Sequence, residues 1–256
     1  MKKILRLTQI FIVTLFVTSS LSSCSFFDDA DNGYEYGKAL INIKSTYNNL
    51  ELQIAYSPYG LINAYSIKQN GVVRETYSVE YNESYVRITA LAGENTGEVR
   101  DIYYDNLGKA TFLKDGFTTL RQFDYNQSNF LKNEILYSTS NPLVEYTYSN
   151  NTISQIVQYN ASGEELLQED LEDYEIKLSY KTVGMLFIDL MYNPYGNYRP
   201  LLSLIGIAGT LPTNFAGEID KFSNFQYNVD GYITDLKMTV NGIPYDVSFT
   251  YDDENE

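Results

Sequence analysis

The segment Tyr104-Asp-Asn-Leu-Gly108 decides the fold, because a tyrosine is followed four residues later by a glycine, with turn-forming residues between them. Tyrosine fits the pleated, half-buried surface of a strand. The Asp, Asn or Ser after it bonds the local backbone, and the glycine accepts the positive φ that closes a tight turn. The segment therefore predicts a β-hairpin in which Tyr104 ends one strand and the chain turns back after Gly108.

This tyrosine turn is repeated along the chain. Six Tyr-x-x-x-Gly segments occur, whereas independent scattering of the tyrosines and glycines would give about 1.6. Tyr56, Tyr81, Tyr104, Tyr125 and Tyr148 mark units of 21 to 25 residues, so each unit holds two strands and two turns. The segments are Tyr56–Gly60, Tyr104–Gly108, Tyr159–Gly163, Tyr180–Gly184 (spacing only), Tyr192–Gly196 and Tyr227–Gly231, with asparagine replacing glycine in Tyr125–Asn129 and Tyr137–Asn141.

A second set of turns alternates with the first, at Asn70-Gly71, Gly93–Gly97, Asp115-Gly116 and Asn141-Pro142. The period and the Tyr-Asp/Asn…Gly element resemble the YD repeats of bacterial shell proteins in a diverged form. Generic hairpins in any antiparallel sheet share this turn chemistry, so the repeat relation and the generic explanation both stay open.

These turns predict an all-β fold, an antiparallel up-and-down meander of about 12–15 short strands. Residues 39–181 account for ten to twelve strands and residues 221–251 for a closing set of two or three. So many short strands are expected to curl or close into a barrel-like sheet with one apolar and one wet face. We predict a single β-meander domain over residues 39–251.

Residues 182–220 interrupt the pattern. After the apolar run Met185–Leu190, Pro200 and Gly209 bracket a short helix that is apolar nearly all round. Such a helix must be buried, either as a plug inside the curled sheet or as a cap at one end. The predicted core residues are Leu201, Leu202, Leu204 and Ile205.

The N-terminus is typical of an exported protein. Residues 1–23 combine a basic start, an apolar run and small residues, as in a secretory signal. Their Leu21-Ser-Ser-Cys24 end resembles the lipobox of bacterial lipoproteins, which implies cleavage and lipidation at Cys24. We expect residues 24–38 to form an acidic tether, which resembles a surface-export signal or is a simple linker, and residues 252–256 an acidic tail.

The chain as a whole resembles a family of bacterial lipoproteins of unknown function described as porin-like. The resemblance rests on the lipobox, the tyrosine-turn meander, the Ile188-Asp-Leu190 segment and the Leu-rich helix before Leu211-Pro212, and it covers most of residues 34–251. It implies a barrel-like fold and an outer-membrane lipoprotein, facing the periplasm or the cell surface, without implying an activity.

Composition restricts the chemistry. The chain has no histidine, and Cys24 is its only cysteine, which excludes Ser-His-Asp triads, Cys-His nucleophiles and His/Cys metal sites. The segment 29–33 lacks a calcium ligand at its twelfth position, Leu40, so no metal or cofactor is expected. The net charge of −15 repels nucleic acid at long range, so no nucleic acid is expected as a partner.

We therefore predict a membrane-anchored, non-catalytic domain that binds a glycan, a peptide or a partner protein, or that serves in an envelope assembly. Tyrosines offer flat amphipathic platforms for such ligands, although most are expected to be cross-strand packing pairs. Oligomeric state and binding residues are not predicted.

Two alternatives remain. A transmembrane porin is disfavoured by short strands and recurring charges such as Lys68 and Arg87. A carbohydrate-active enzyme needs two paired carboxylates. Seven carboxylates are candidates for such a pair. Six of them lie in one acidic stretch, in which we expect a solvated loop or a short helix, and the seventh lies in an apolar run. The candidates are Glu164, Glu165, Glu169, Asp170, Glu172, Asp173 and Asp189.

Overall fold

The computed structural model describes residues 39–58, 60–149, 152–172, 202–205, 214–215, 222–240 and 242–252. These residues fall within one compact unit. Outside them lie the predicted signal, the lipidation site Cys24, the tether, Asp173, Asp189 and the last four residues of the acidic tail. The tyrosine segments Tyr180–Gly184 and Tyr192–Gly196 lie outside them as well.

The described residues form sixteen strand segments and one short α-helix. A single turn of 3₁₀ helix, Tyr47–Asn49, joins the first two strands. The helix α1 spans Leu202–Ile205. The strands are β1 Leu40–Ser45, β2 Leu50–Tyr56, β3 Ile62–Gln69, β4 Val72–Tyr81, β5 Tyr85–Ala92, β6 Val99–Tyr104, β7 Ala110–Asp115, β8 Thr118–Tyr125, β9 Leu131–Leu136, β10 Asn141–Ser149, β11 Thr152–Tyr159, β12 Glu165–Glu172, β13 Asn214–Phe215, β14 Phe222–Tyr227, β15 Ile233–Val240 and β16 Ile243–Tyr251.

All the strands belong to one antiparallel sheet, which confirms the predicted meander. Strands β1 to β12 pair in chain order, and the C-terminal strands continue the sheet beyond β1 through the pairing of β1 with β16. Since β13 has only two residues, fifteen strands are of ordinary length. Within the described residues β13 and β14 are the two edges, and the sheet is not closed.

The tyrosine turns form the predicted hairpins. In Tyr104–Gly108, Asp105 Oδ1 accepts the N–H groups of Leu107 and Lys109 at 2.8 and 2.9 Å, and Gly108 has φ 74°. One side-chain oxygen thus satisfies two backbone donors, while the residue at positive φ lets the chain reverse. Asn126, Asn160 and Asn228 each accept the same pair of N–H bonds, ahead of Asn129, Gly163 and Gly231 at positive φ.

One degenerate copy behaves differently. In Tyr137–Asn141 the positive φ of 60° belongs to Ser140, and Asn141 already begins β10. The Ser140 N–H bonds Leu136 O at 2.8 Å, so this turn closes one residue earlier than the tyrosine pattern predicts.

Side chains alternate between two faces of the sheet. The face that carries the apolar core is called the inner face here, and the opposite face the outer face. On the inner face lie Leu50, Leu52 and Ile54 of β2 and Val86 and Ile88 of β5, all buried. The outer face is polar along β1 to β4, where its side chains include Asn42, Lys44, Glu51, Gln53, Ser66 and Lys68.

Helix α1 lies against the inner face. Leu204 and Ile205 are buried, as predicted, whereas the side chains of Leu201 and Leu202 are outside the described part of the structure. The Leu204 and Ile205 carbonyls accept hydrogen bonds from the Tyr104 and Tyr125 hydroxyls, at the ends of β6 and β8. The sheet therefore holds this segment through its repeat tyrosines.

The acidic stretch was predicted wrongly as a loop or short helix. Glu165–Glu172 is strand β12, in register with β11 through pairs such as Gln155 with Asp170. The hairpin at Asn160–Gly163 returns the chain alongside β11. Backbone pairing with that strand then outweighs the weak strand propensity of glutamate and aspartate.

Candidate binding face

The repeat tyrosines on the inner face are structural. Tyr56 Oη donates to Leu40 O at 3.0 Å, and Tyr148 Oη donates to Leu131 O at 2.6 Å. Burial raises the pKa of the Tyr81, Tyr104 and Tyr148 phenols, as it does for Tyr125. The Tyr56, Tyr104, Tyr125 and Tyr148 hydroxyls bind the protein's own backbone and do not form an open platform for a ligand.

The inner face also holds an ion pair that the sequence patterns did not reveal. Glu134 is 0% exposed, and its Oε2 lies 3.0 Å from Nη1 of the buried Arg121. Its Oε1 accepts a 2.8 Å hydrogen bond from Tyr146 Oη. Both carboxylate oxygens are therefore occupied by neighbouring strands, which indicates a structural role. Strand alternation places Arg121 and Glu134 inward, but only the register shows that they meet.

On the outer face, four rings form what we call the aromatic strip: Tyr85, Tyr103, Phe112 and Tyr137. Strand pairing sets Tyr85 opposite Tyr103, and Tyr103 opposite Phe112. The Tyr85 and Tyr103 ring centroids are 5.5 Å apart, and those of Phe112 and Tyr137 are 6.2 Å apart, edge to face. Tyr137 is 52% exposed. Three of the rings therefore form a row across β5 to β7, and Tyr137, which follows β9, contacts this row at Phe112.

Two cations lie against these rings. Arg87 Cζ is 5.3 Å from the Tyr85 ring centroid, and the guanidinium bonds both oxygens of Asp101 at 2.8 and 2.9 Å. The hydrogen bonds to Asp101 raise the pKa of Arg87, which stays charged. Lys114 Nζ lies 4.4 Å from the Tyr103 centroid and 5.8 Å from that of Phe112. The strip thus combines aromatic rings with two cations that lie against them.

The carboxylates proposed for catalysis lie elsewhere. Glu164 and Asp170 are exposed and accept hydrogen bonds from Asn160 and Gln155 at 2.7 and 2.6 Å. Glu165 is exposed at the start of β12, and Glu169 and Glu172 belong to the same strand. Strands β10 and β11 separate this strand from β9, so the structure does not bring these acids to the aromatic strip.

Two features are absent from the described residues. No three or more carboxylates among them are grouped so that they could hold a metal ion. No helix in that part of the chain has the length and apolar character needed to cross a membrane.

Comparison with solved structures places the fold among porin-like β proteins. A porin-like protein from Bacteroides uniformis ATCC 8492 is similar with a TM-score of 0.55 and 18% sequence identity, over 83% of this chain and 98% of that one. A second porin-like protein, from Bacteroides vulgatus ATCC 8482, has a TM-score of 0.46 and 13% identity, over 85% and 100%. No protein-family model matches the chain, and no curated protein does. The first likeness establishes a shared fold.

Proposed function

We propose that the protein is a lipid-anchored, non-catalytic envelope domain that binds polysaccharide across its outer face. The observation that carries this proposal is the aromatic strip, in which three rings form a row across the sheet and Tyr137 lies against the last of them. Aromatic rings offer rigid apolar contact area at low conformational cost, and tyrosine adds a hydroxyl at its tip. A line of rings suits an extended ligand with repeated flat units.

The surroundings of the strip favour a polysaccharide over a peptide. Strands β5 to β9 are internal, so their backbone groups are already bonded to neighbouring strands. An extended peptide that adds itself to a sheet needs a free strand edge. Recognition here must use side chains, and Arg87, whose side chain is 39% exposed, and Gln122, opposite Phe112, carry hydrogen-bonding groups beside the rings. Sugar rings match this surface because they have apolar faces and hydroxyl edges.

The proposed anchor is the acylated Cys24. A tether of residues 24–38 reaches at most about 50 Å when fully extended, so a domain beginning at Leu40 would remain close to the bilayer. Two or more acyl chains give stable attachment. Cys24→Ser should release the protein from the membrane fraction and abolish incorporation of labelled fatty acid. Unchanged membrane association of that variant would contradict the proposed lipid anchor.

The binding test uses the full chain, expressed with its own leader and kept in mild detergent. A panel of immobilised polysaccharides is probed with wild type, Phe112→Ala and Tyr227→Ala. Phe112→Ala should weaken binding about tenfold or more, since removal of a central aromatic contact typically costs over 1 kcal/mol. Tyr227, 45% exposed on β14, is the matched control and should have no effect. Equal effects of both variants, or no binding by wild type, would contradict the proposal.

A further inference from the structure

The aromatic strip contains a cation, Lys114, that contacts aromatic rings instead of a carboxylate among the described residues. Lys114 lies directly opposite Asp101 in the pairing of β6 with β7. Both oxygens of Asp101, however, are bonded to Arg87, at 2.8 and 2.9 Å. Among the described residues Lys114 makes no ion pair, and its ammonium lies over the Tyr103 and Phe112 rings.

A ligand that packs against Tyr103 and Phe112 must contact this ammonium, which itself lies over the two rings. The centroids of the two rings are 4.4 and 5.8 Å from Lys114 Nζ, so any sugar ring above them displaces water from the cation. Covering a charge without a partner costs free energy, and a carboxylate on the ligand offsets that cost. A neutral sugar offers only hydroxyl groups in return.

We infer that the aromatic strip selects acidic polysaccharides, with Lys114 pairing to a carboxylate on the sugar that packs against Tyr103 and Phe112. This inference rests on the proposed function and narrows it from polysaccharides in general to uronic-acid polymers. The net charge of −15 repels a polyanion at long range. Selectivity therefore comes from the contact at Lys114, and the association rate does not contribute to it.

The test compares acidic polymers with their own neutral forms. Polygalacturonate and hyaluronate are each presented beside a carboxyl-reduced counterpart, which keeps the linkages and replaces each carboxylate by a hydroxymethyl group. The full chain in detergent should bind at least one acidic form about tenfold more tightly than its reduced form, and salt should diminish this preference.

Three variants test whether Lys114 causes the preference for the acidic form. Lys114→Met should abolish the preference, because the acidic form loses its ionic partner while the reduced form no longer has to cover a charge, so its affinity should not fall. Lys114→Arg keeps the charge and should retain the preference. Lys44→Met removes an exposed lysine on β1, away from the strip, and should leave both affinities unchanged.

The possible failures are distinguishable. Equal binding of acidic and reduced forms by wild type overturns the inference and leaves the polysaccharide proposal intact, as does a preference that survives in Lys114→Met. Binding of neither form to wild type, or binding that Phe112→Ala does not weaken, overturns the inference and the proposed function together.

Discussion

At the scale of single residues, the structure separates tyrosines and charges that look alike in the sequence. Tyr104 ends β6 and donates to a helix carbonyl on the inner face, whereas its neighbour Tyr103 joins the outer aromatic strip. Alternation along a strand gives adjacent residues opposite faces. The alternation therefore predicts tyrosines on both faces of the sheet, but strand register decides which rings meet.

The buried ion pair gives the sharpest prediction at this scale. Glu134→Ala removes the carboxylate that pairs with the buried Arg121 guanidinium, and should lower the free energy of unfolding by about 3–5 kcal/mol. Lys237→Gln breaks the pair Lys237–Asp246, whose side chains are 42% and 70% exposed, and should cost less than about 1 kcal/mol. Urea unfolding of both variants measures the difference. Equal losses would show that burial does not set the strength of these pairs.

At the scale of elements, the tyrosine turn was predictable because its chemistry is local. The side chain after the tyrosine binds backbone donors two and four residues away, and the last turn residue takes positive φ. Strand β12 was not predictable in the same way. Its acidic residues have weak strand propensity, and its structure depends on pairing with β11.

The residues at positive φ in two tyrosine turns should respond differently to substitution. Gly231 has φ 85°, and a Cβ there would meet no atom within 4 Å, so Gly231→Ala tests backbone strain alone. We expect it to lower the free energy of unfolding by about 1–2 kcal/mol. Asn129, with φ 65° at the same position of another turn, should tolerate Asn129→Gly without loss. Thermal or urea unfolding that ranks the two variants the other way would contradict the shared turn geometry.

At the scale of the whole molecule, the strand order joins distant parts of the chain. The pairing of β1 with β16 sets Leu40 opposite Tyr251, and local patterns contain no information on such a contact. The sequence predicted a closing set of strands after residue 220, and the structure adds it beyond β1 as a continuation of the sheet. For the same reason the aromatic strip was missed, since its rings come from strands that pair only in the folded sheet.

The inner tyrosines make global stability sensitive to alkaline pH. Burial raises the pKa of Tyr81, Tyr104, Tyr125 and Tyr148 above the ordinary 10.0 of the unfolded chain. Above pH 10 the unfolded state therefore releases protons that the folded state keeps, so stability is complete below pH 10 and falls as pH rises. Each such tyrosine contributes a slope of up to about 1.4 kcal/mol per pH unit.

Urea unfolding at a series of alkaline pH values measures this slope, and Tyr81→Phe provides the control. The variant lacks one of the phenols whose pKa is raised by burial. Its free energy of unfolding should therefore fall less steeply with pH, by the contribution of about one proton. A stability that stays constant above pH 10, or a Tyr81→Phe variant with an unchanged slope, would show that these phenols ionise freely in the folded protein.

Hydroxyl-radical footprinting of the full chain tests most directly whether the ligand binds across the aromatic strip of the outer face. With saturating acidic polysaccharide, oxidation of Tyr85, Tyr103, Phe112 and Tyr137 should fall, while that of Tyr227, exposed on β14, should stay constant. Protection of Tyr227 with the strip left fully reactive would place the ligand elsewhere and contradict the account.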